Sequence, residues 1–162
     1  MSAASDPRAL RRFAPGMSLP GGTQIVPEMQ AVRFSLQHES GPVYLDGNQY
    51  SSEVDIVTDP GLAGVKWSLQ AKPDGSWRIT NQAALKYGLS ADQGRARLCS
   101  LDPDLDHTDR MADWLIYLCG REGHILLRPV GGTWLVTDGA SRVGFDRIVG
   151  EDPARGLWQL LP

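Results

Sequence analysis

Long apolar runs are missing from this chain: nowhere does it approach the roughly 18 consecutive apolar residues of a membrane-spanning helix. Arg11 and Arg12 stand as in a twin-arginine leader, yet Phe13 to Gly22 supplies no apolar segment behind them. The expected location is therefore the cytoplasm, or outside the cell by release without a conventional signal peptide. Basic clusters are missing too. With a net charge of -3, a pI near 5.5 and no concentration of Lys or Arg beyond Arg8, Arg11 and Arg12, the chain lacks the footprint of a nucleic-acid partner. Cysteine is scarce: Cys99 and Cys119 are the whole complement. No Cys-x-x-Cys occurs, and His38, His107 and His124 are too far apart for a zinc site, so the thiols read as small apolar groups and no cofactor is expected. Catalytic signatures are absent as well: there is no Gly-x-Ser-x-Gly elbow, no phosphate-binding loop and no His-Glu-x-x-His. These absences set the expectation of a non-enzymatic protein.

What is present is repetition. Trp67, Trp114 and Trp158 each sit in an apolar-x-Trp-x-apolar or similar step, 47 and 44 residues apart, within Val65 to Leu69, Ala112 to Ile116 and Leu157 to Leu160. A fixed period of this size marks an architecture built from repeated units. Residues 1–28 stand apart. Pro7, Pro15, Pro20, Pro27 and Gly21-Gly22 break any periodicity there, which reads as an extension or arm in which Arg8 to Phe13 has room for one helical turn. Residues 29–162 read as one domain, long enough to bury a single core.

From residue 31 onward, short alternating runs are cut by turn residues, the texture of an all-β chain. Val32, Phe34 and Leu36 alternate with Arg33, Ser35 and Gln37; Val43 to Leu45 follows and ends at the Asp46-Gly47-Asn48 turn; Val54 to Val57 and Val65 to Gln70 complete a four-strand unit. A second unit runs through Trp77 to Thr80, Leu85 to Leu89, Arg95 to Leu101 and Trp114 to Leu118. A third uses Ile125 to Leu127, Trp134 to Val136, Arg142 to Val149 and Leu157 to Leu161. About twelve strands in three units is too few blades for a propeller and suits a β-trefoil, with the three tryptophans equivalent and buried.

The passage from Val65 to Asn81, in which Trp67-Ser68-Leu69 precedes the Asp74-Gly75 turn and Trp77-Arg78-Ile79, resembles the strand-four to strand-five passage of β-trefoil proteins. Similar passages occur in mycocypin-type fungal protease inhibitors and, less closely, in ricin-type and fascin-like trefoils. Ricin-type units carry Gln-x-Trp, whereas Val65, Ala112 and Gly156 stand two before the tryptophans here. The resemblance implies a binding module that recognises a protein, protease-inhibitor-like, ahead of a carbohydrate-binding lectin, with a structural or adaptor subunit as a third reading.

Each reading nominates residues. Inhibition needs an exposed, preorganised loop, for which the candidates are Gly41 and Pro42, Gly61 and Gly64, Asn81 for an asparagine-specific pocket, and Arg155 for a trypsin-like one. A sugar needs an aromatic face beside Asp or Asn acceptors; Tyr44 with Asp46 and Asn48, or Trp134 with Asp138, has the right types. Finally, Asp102, Asp104, Asp106 and Asp113 fall at positions 1, 3, 5 and 12 of a calcium-loop count. His107 replaces the glycine at position 6, so a solvated acidic loop is the expectation and no metal is assigned.

Overall fold

The computed structural model describes residues 10–19, 21–38, 41–101, 110–119, 124–137, 143–147 and 156–161, with backbone alone at Arg110. Among them the only helical feature is a 3-10 turn at Ala63–Val65, and no helix is long and apolar enough to cross a membrane. The rest is strand. The first repeat contains β2 (Glu28–His38), β3 (Gly41–Gly47), β4 (Val54–Val57) and β5 (Trp67–Ala71), after a short β1 (Leu10–Arg12). The second contains β6 (Trp77–Asn81), β7 (Tyr87–Asp92), β8 (Arg95–Ser100) and β10 (Asp113–Cys119), with a two-residue β9 (Arg110–Met111) between the last two. The third contains β11 (His124–Pro129), β12 (Trp134–Thr137), β13 (Val143–Asp146) and β14 (Trp158–Leu161).

Alternation decides what each strand buries. In β10, Trp114, Ile116 and Leu118 are buried while Asp113, Leu115 and Tyr117 are half-buried, as a period of two requires. First and last strands of the three repeats close a ring: β2 pairs β5, β5 pairs β6, β6 pairs β10, β10 pairs β11, β11 pairs β14, and β14 returns to β2, all antiparallel. The middle strands form three hairpins, β3 with β4, β7 with β8 and β12 with β13. A six-stranded barrel capped by three hairpins is a β-trefoil.

Register exposes the threefold equivalence. Trp67, Trp114 and Trp158 face Val32, Trp77 and Ile125 of their own repeat's first strand. Two residues along, Leu69 faces Ile79, Ile116 faces Leu127 and Leu160 faces Phe34, a six-residue layer across the barrel. All three indoles are fully buried, and each Nε1–H donates to the carbonyl of the leucine in its repeat's second strand: Trp67 to Leu45 at 3.1 Å, Trp114 to Leu89 at 2.7 Å, Trp158 to Leu135 at 3.1 Å. The ring fills the core, and the N–H fastens each hairpin to the barrel wall.

The N-terminal segment differs from its sequence expectation in form. Leu10–Arg12 is a strand on the edge of β10, with Arg12 opposite Tyr117, and no helical turn forms over its described part. A lone turn of helix leaves most of its backbone groups unpaired, whereas β10 extends beyond its short contact with β6 and offers a free edge. Phe13, Leu19 and Ile25 join the core; Phe13 meets Trp77 edge-on at 5.1 Å and its carbonyl accepts the Trp77 indole N–H at 3.0 Å. Cys99 and Cys119 are both buried thiols outside any disulfide, and burial pushes the Cys119 thiol up.

Trp67→Phe, Trp114→Phe and Trp158→Phe each keep an aromatic ring but leave a buried leucine carbonyl without its donor. Each is expected to lose about 2 kcal/mol in urea unfolding, against under about 0.5 kcal/mol for Trp134→Phe. Equal losses at all four tryptophans would contradict the threefold clasp.

Candidate functional site

Two places on the trefoil concentrate polar chemistry. The first lies where the hairpins converge: a cleft of about 600 Å³ lined by Glu53, Val54 and Asp55 of the first repeat, Arg95, Ala96 and Arg97 of the second, and Val143 of the third. Asp55 in its wall faces Asp46 in register across β3 and β4, an arrangement that is repulsive when both are ionised. Asp55 Oδ1 is buried and has no donor. Burial first, then the Asp46 charge and hydrogen bond and the Glu53 charge, pushes the Asp55 carboxyl up to about 6. Burial also raises Asp46, partly offset by its hydrogen bond with Asp55. The two carboxyls therefore share a proton under mildly acidic conditions.

The second place is the outer wall of the barrel. Because Trp114 and Ile116 point inward, alternation turns Tyr117 outward, with Arg12 opposite it on β1 and Arg128 diagonal to it on β11, opposite Leu115. The Arg12 guanidinium lies 5.5 Å from the centre of the Tyr117 ring; that of Arg128 lies 5.6 Å from the Tyr117 ring and 5.3 Å from the Trp134 ring. Tyr117 and Trp134 meet edge to face at 5.6 Å. Arg128 donates from Nη2 to the Tyr117 hydroxyl at 3.1 Å, and Arg12 from Nη2 to the Gly75 carbonyl at 3.2 Å. Tyr117, Arg128 and Trp134 are half-buried and Arg12 is exposed, so the row is open to solvent.

The residues nominated by sequence fall in several environments. Gly41 and Pro42 lie within β3, paired with His38 and Gln37, rather than in a free loop. Asn81 is fully buried: its Nδ2 donates to the Gly64 carbonyl at 2.9 Å and its Oδ1 accepts from the Ala83 N–H at 2.9 Å. Gly64 is a close-approach glycine, since a Cβ there would lie 2.5 Å from Asp46 Oδ1 and collide with the Gly47 carbonyl. Gly61 sits in an exposed loop whose Asp59 side chain accepts the Gly61 N–H at 2.8 Å. Tyr44 is buried, and Asn48 uses its Oδ1 to accept the Tyr50 and Ser51 N–H groups, holding its own turn. Asp113 binds Lys72 at 2.7 Å and Arg78 at 3.3 Å. Asp102, Asp104, Asp106, Asp138 and Arg155 lie outside the described residues.

Of the two aromatic sugar candidates, register makes Tyr44 and Trp134 equivalent, each preceding the leucine that accepts the repeat's indole N–H. The second repeat puts Gly88 there, because a Cβ would press on Leu101 and on the Ile79 carbonyl; Tyr87 is one residue off register and faces solvent. Sequence reasoning missed Tyr117, Arg128 and Arg12, although the two-residue period of β10 marked Tyr117 as an outward aromatic. It also missed Asp55, Arg95 and Arg97, whose proximity depends on how separate hairpins meet.

No family model and no curated protein matches the chain. Solved structures do. The chain is similar to a mosquitocidal holotoxin (13% identity over 82% of this chain and 16% of the toxin, TM-score 0.65). It is similar to a GlcNAcα1-4Gal releasing endo-β-galactosidase from Clostridium perfringens (15% identity, 88% of this chain and 34% of the galactosidase, TM-score 0.59). A designed three-fold symmetric protein, ThreeFoil, matches along nearly its whole length, 98%, and 81% of this chain, with 14% identity and a TM-score of 0.53. The chain thus spans about a sixth of the toxin and a third of the galactosidase. At these identities the likeness establishes the β-trefoil fold.

The Asp46 and Asp55 pair yields a pH signature. Asp55 keeps its proton in the folded chain up to about pH 6, while the unfolded carboxyl loses it near its ordinary value of 3.8. Stability is therefore expected to fall as pH rises between these values. Asp55→Asn is expected to gain about 1 kcal/mol over the parent at pH 7.5, allowing for solvent screening of this half-exposed group, and nothing at pH 4. Urea unfolding at both pH values checks it; a gap of equal size at each would rule out the shared proton.

Proposed function

We propose that this trefoil is a non-enzymatic carbohydrate-binding module whose site is the outer-wall row around Trp134. The observation that carries this reading is the open pairing of Tyr117 and Trp134 beside Arg128. The solvent-exposed part of the Trp134 ring offers an apolar surface to the C–H face of a sugar, and the Arg128 guanidinium, held over Tyr117 and Trp134, supplies directed donors to its oxygens. The absence of Gln-x-Trp is compatible with it, since the row draws on β1, β10, β11 and β12 rather than on the position two before each core tryptophan. Similarity to a galactosidase and a toxin, each matched over only part of a longer chain, adds support to the module reading.

Catalysis is the weaker reading of the Asp46 and Asp55 pair. Their opposition in register across β3 and β4 accounts for the raised Asp55 carboxyl by itself, as clusters of structural charges do, without a substrate. Protein recognition of the protease-inhibitor kind keeps one specific observation in its favour. The exposed loop Asp59-Pro60-Gly61-Leu62 is preorganised by the Asp59 turn and by proline, and presents Leu62 at 43% exposure. Gly64 and Asn81 act behind it as a structural knot.

Trp134→Ala is expected to abolish retention on immobilised mixed glycans while the far-ultraviolet spectrum and unfolding midpoint stay close to the parent's. Leu62→Ala should leave retention unchanged. Capture of a protease that depends on Leu62 and is indifferent to Trp134 would replace the glycan reading with the inhibitor one.

A further inference from the structure

We infer that the outer-wall row selects acidic glycans, sugars bearing a sulfate or carboxylate, with Arg12 and Arg128 receiving the anionic group; this rests on the carbohydrate reading above. Both guanidiniums are unusual in how they are held. Arg12 and Arg128 rest on aromatic faces, and their hydrogen bonds go to a backbone carbonyl and a phenol. Among the described residues neither forms an ion pair, whereas Lys72 and Arg78 share Asp113, and Arg97 lies 3.8 Å from Asp92. Arg128 Nε is buried with no acceptor, so that guanidinium has no carboxylate on its inner side either.

A chain with a net charge of -3 has enough carboxylates to neutralise two guanidiniums placed at random. Among the described residues they are stacked on π faces instead, which holds their position without an ion pair. The carboxylate opposite the row in register is Asp146, which pairs with Trp134 across β12 and β13 and has an interaction of its own. Tyr117 lies between the cations as a spacer, with Arg12 reaching it from β1 and Arg128 from β11. A ligand that combines a C–H face with an anionic substituent matches both parts of the row. A neutral sugar uses only the aromatic part, and a bare anion only the cationic part.

The test is a glycan array printed with matched neutral, sialylated and sulfated forms of the same core oligosaccharides, with competition by sodium sulfate. The charged member of a pair is expected to bind about tenfold more tightly than its neutral parent, the size of one charge-assisted hydrogen bond. Arg12→Gln and Arg128→Gln should each erase most of that preference, and Trp134→Ala should remove binding of all forms. Arg12 is exposed, so its variant reports even where Arg128→Gln perturbs folding. Sialylated and sulfated arms distinguish carboxylate from sulfate as the preferred group. Equal binding of neutral and charged forms overturns the inference and leaves the carbohydrate reading standing. Failure to retain any glycan overturns both. Binding matched by sodium sulfate alone and untouched by Trp134→Ala also overturns both, by showing a simple anion site.

Discussion

Burying an indole is favourable only if its N–H finds an acceptor inside, and this chain meets that condition three times in the same way. Each repeat supplies its acceptor from the leucine carbonyl of its own second strand, 22, 25 or 23 residues before the tryptophan. The bond joins the two structural classes of strand, since the tryptophan is in the barrel and the leucine in a hairpin. It adds a directed side-chain bond to the backbone ladders that join β3 to β2 and β7 to β6, and to apolar contact, which is non-directional. With it, the position of each hairpin follows from the barrel, and so does the meeting of the hairpins at the cleft lined by Glu53, Asp55, Arg95 and Arg97.

Core demands also determine which loop residues remain for binding. Gly64, Asn81 and Gly47 resemble exposed turn residues in one dimension. In the fold they form a knot in which the Asn81 amide sits where a Gly47 side chain would begin, and the Gly64 carbonyl accepts from Asn81. Their small size and hydrogen bonds go to holding the β4 to β5 connection against β3 and β6. The outward faces of the barrel strands carry no such duty. Tyr117, Arg128 and Arg12 therefore stand on a rigid wall with their side chains open, a better platform for a shallow ligand than a flexible loop.

Charge near the apolar core is handled in two ways. At Asp46 and Asp55, like charges oppose each other on neighbouring strands, and the strain is relieved by retaining a proton, which makes that end of the molecule sensitive to mild acid. At the outer wall, cations are placed on aromatic faces, which attract charge without neutralising it. The first arrangement consumes its own charge and the second leaves it at the surface.

Alternation, turn residues and the spacing of Trp67, Trp114 and Trp158 were sufficient for the all-β class, the three units and three of the four fully buried tryptophans, Trp77 being missed, because these depend on local periods of two and on repetition along the chain. Strand ends were legible to within a few residues for the same reason. The strand at Leu10–Arg12 was not, since nothing local favours it and only the free edge of β10 creates it. The sites were less legible still. Asn81 and Gly64 look like binding residues until the fold places each against the other, and Arg12, Tyr117, Arg128 and Trp134 come from four strands, β1, β10, β11 and β12. Sequence fixes which face of its own strand a side chain takes; only closure of the barrel decides which faces become neighbours, because that depends on pairings between residues more than a hundred positions apart.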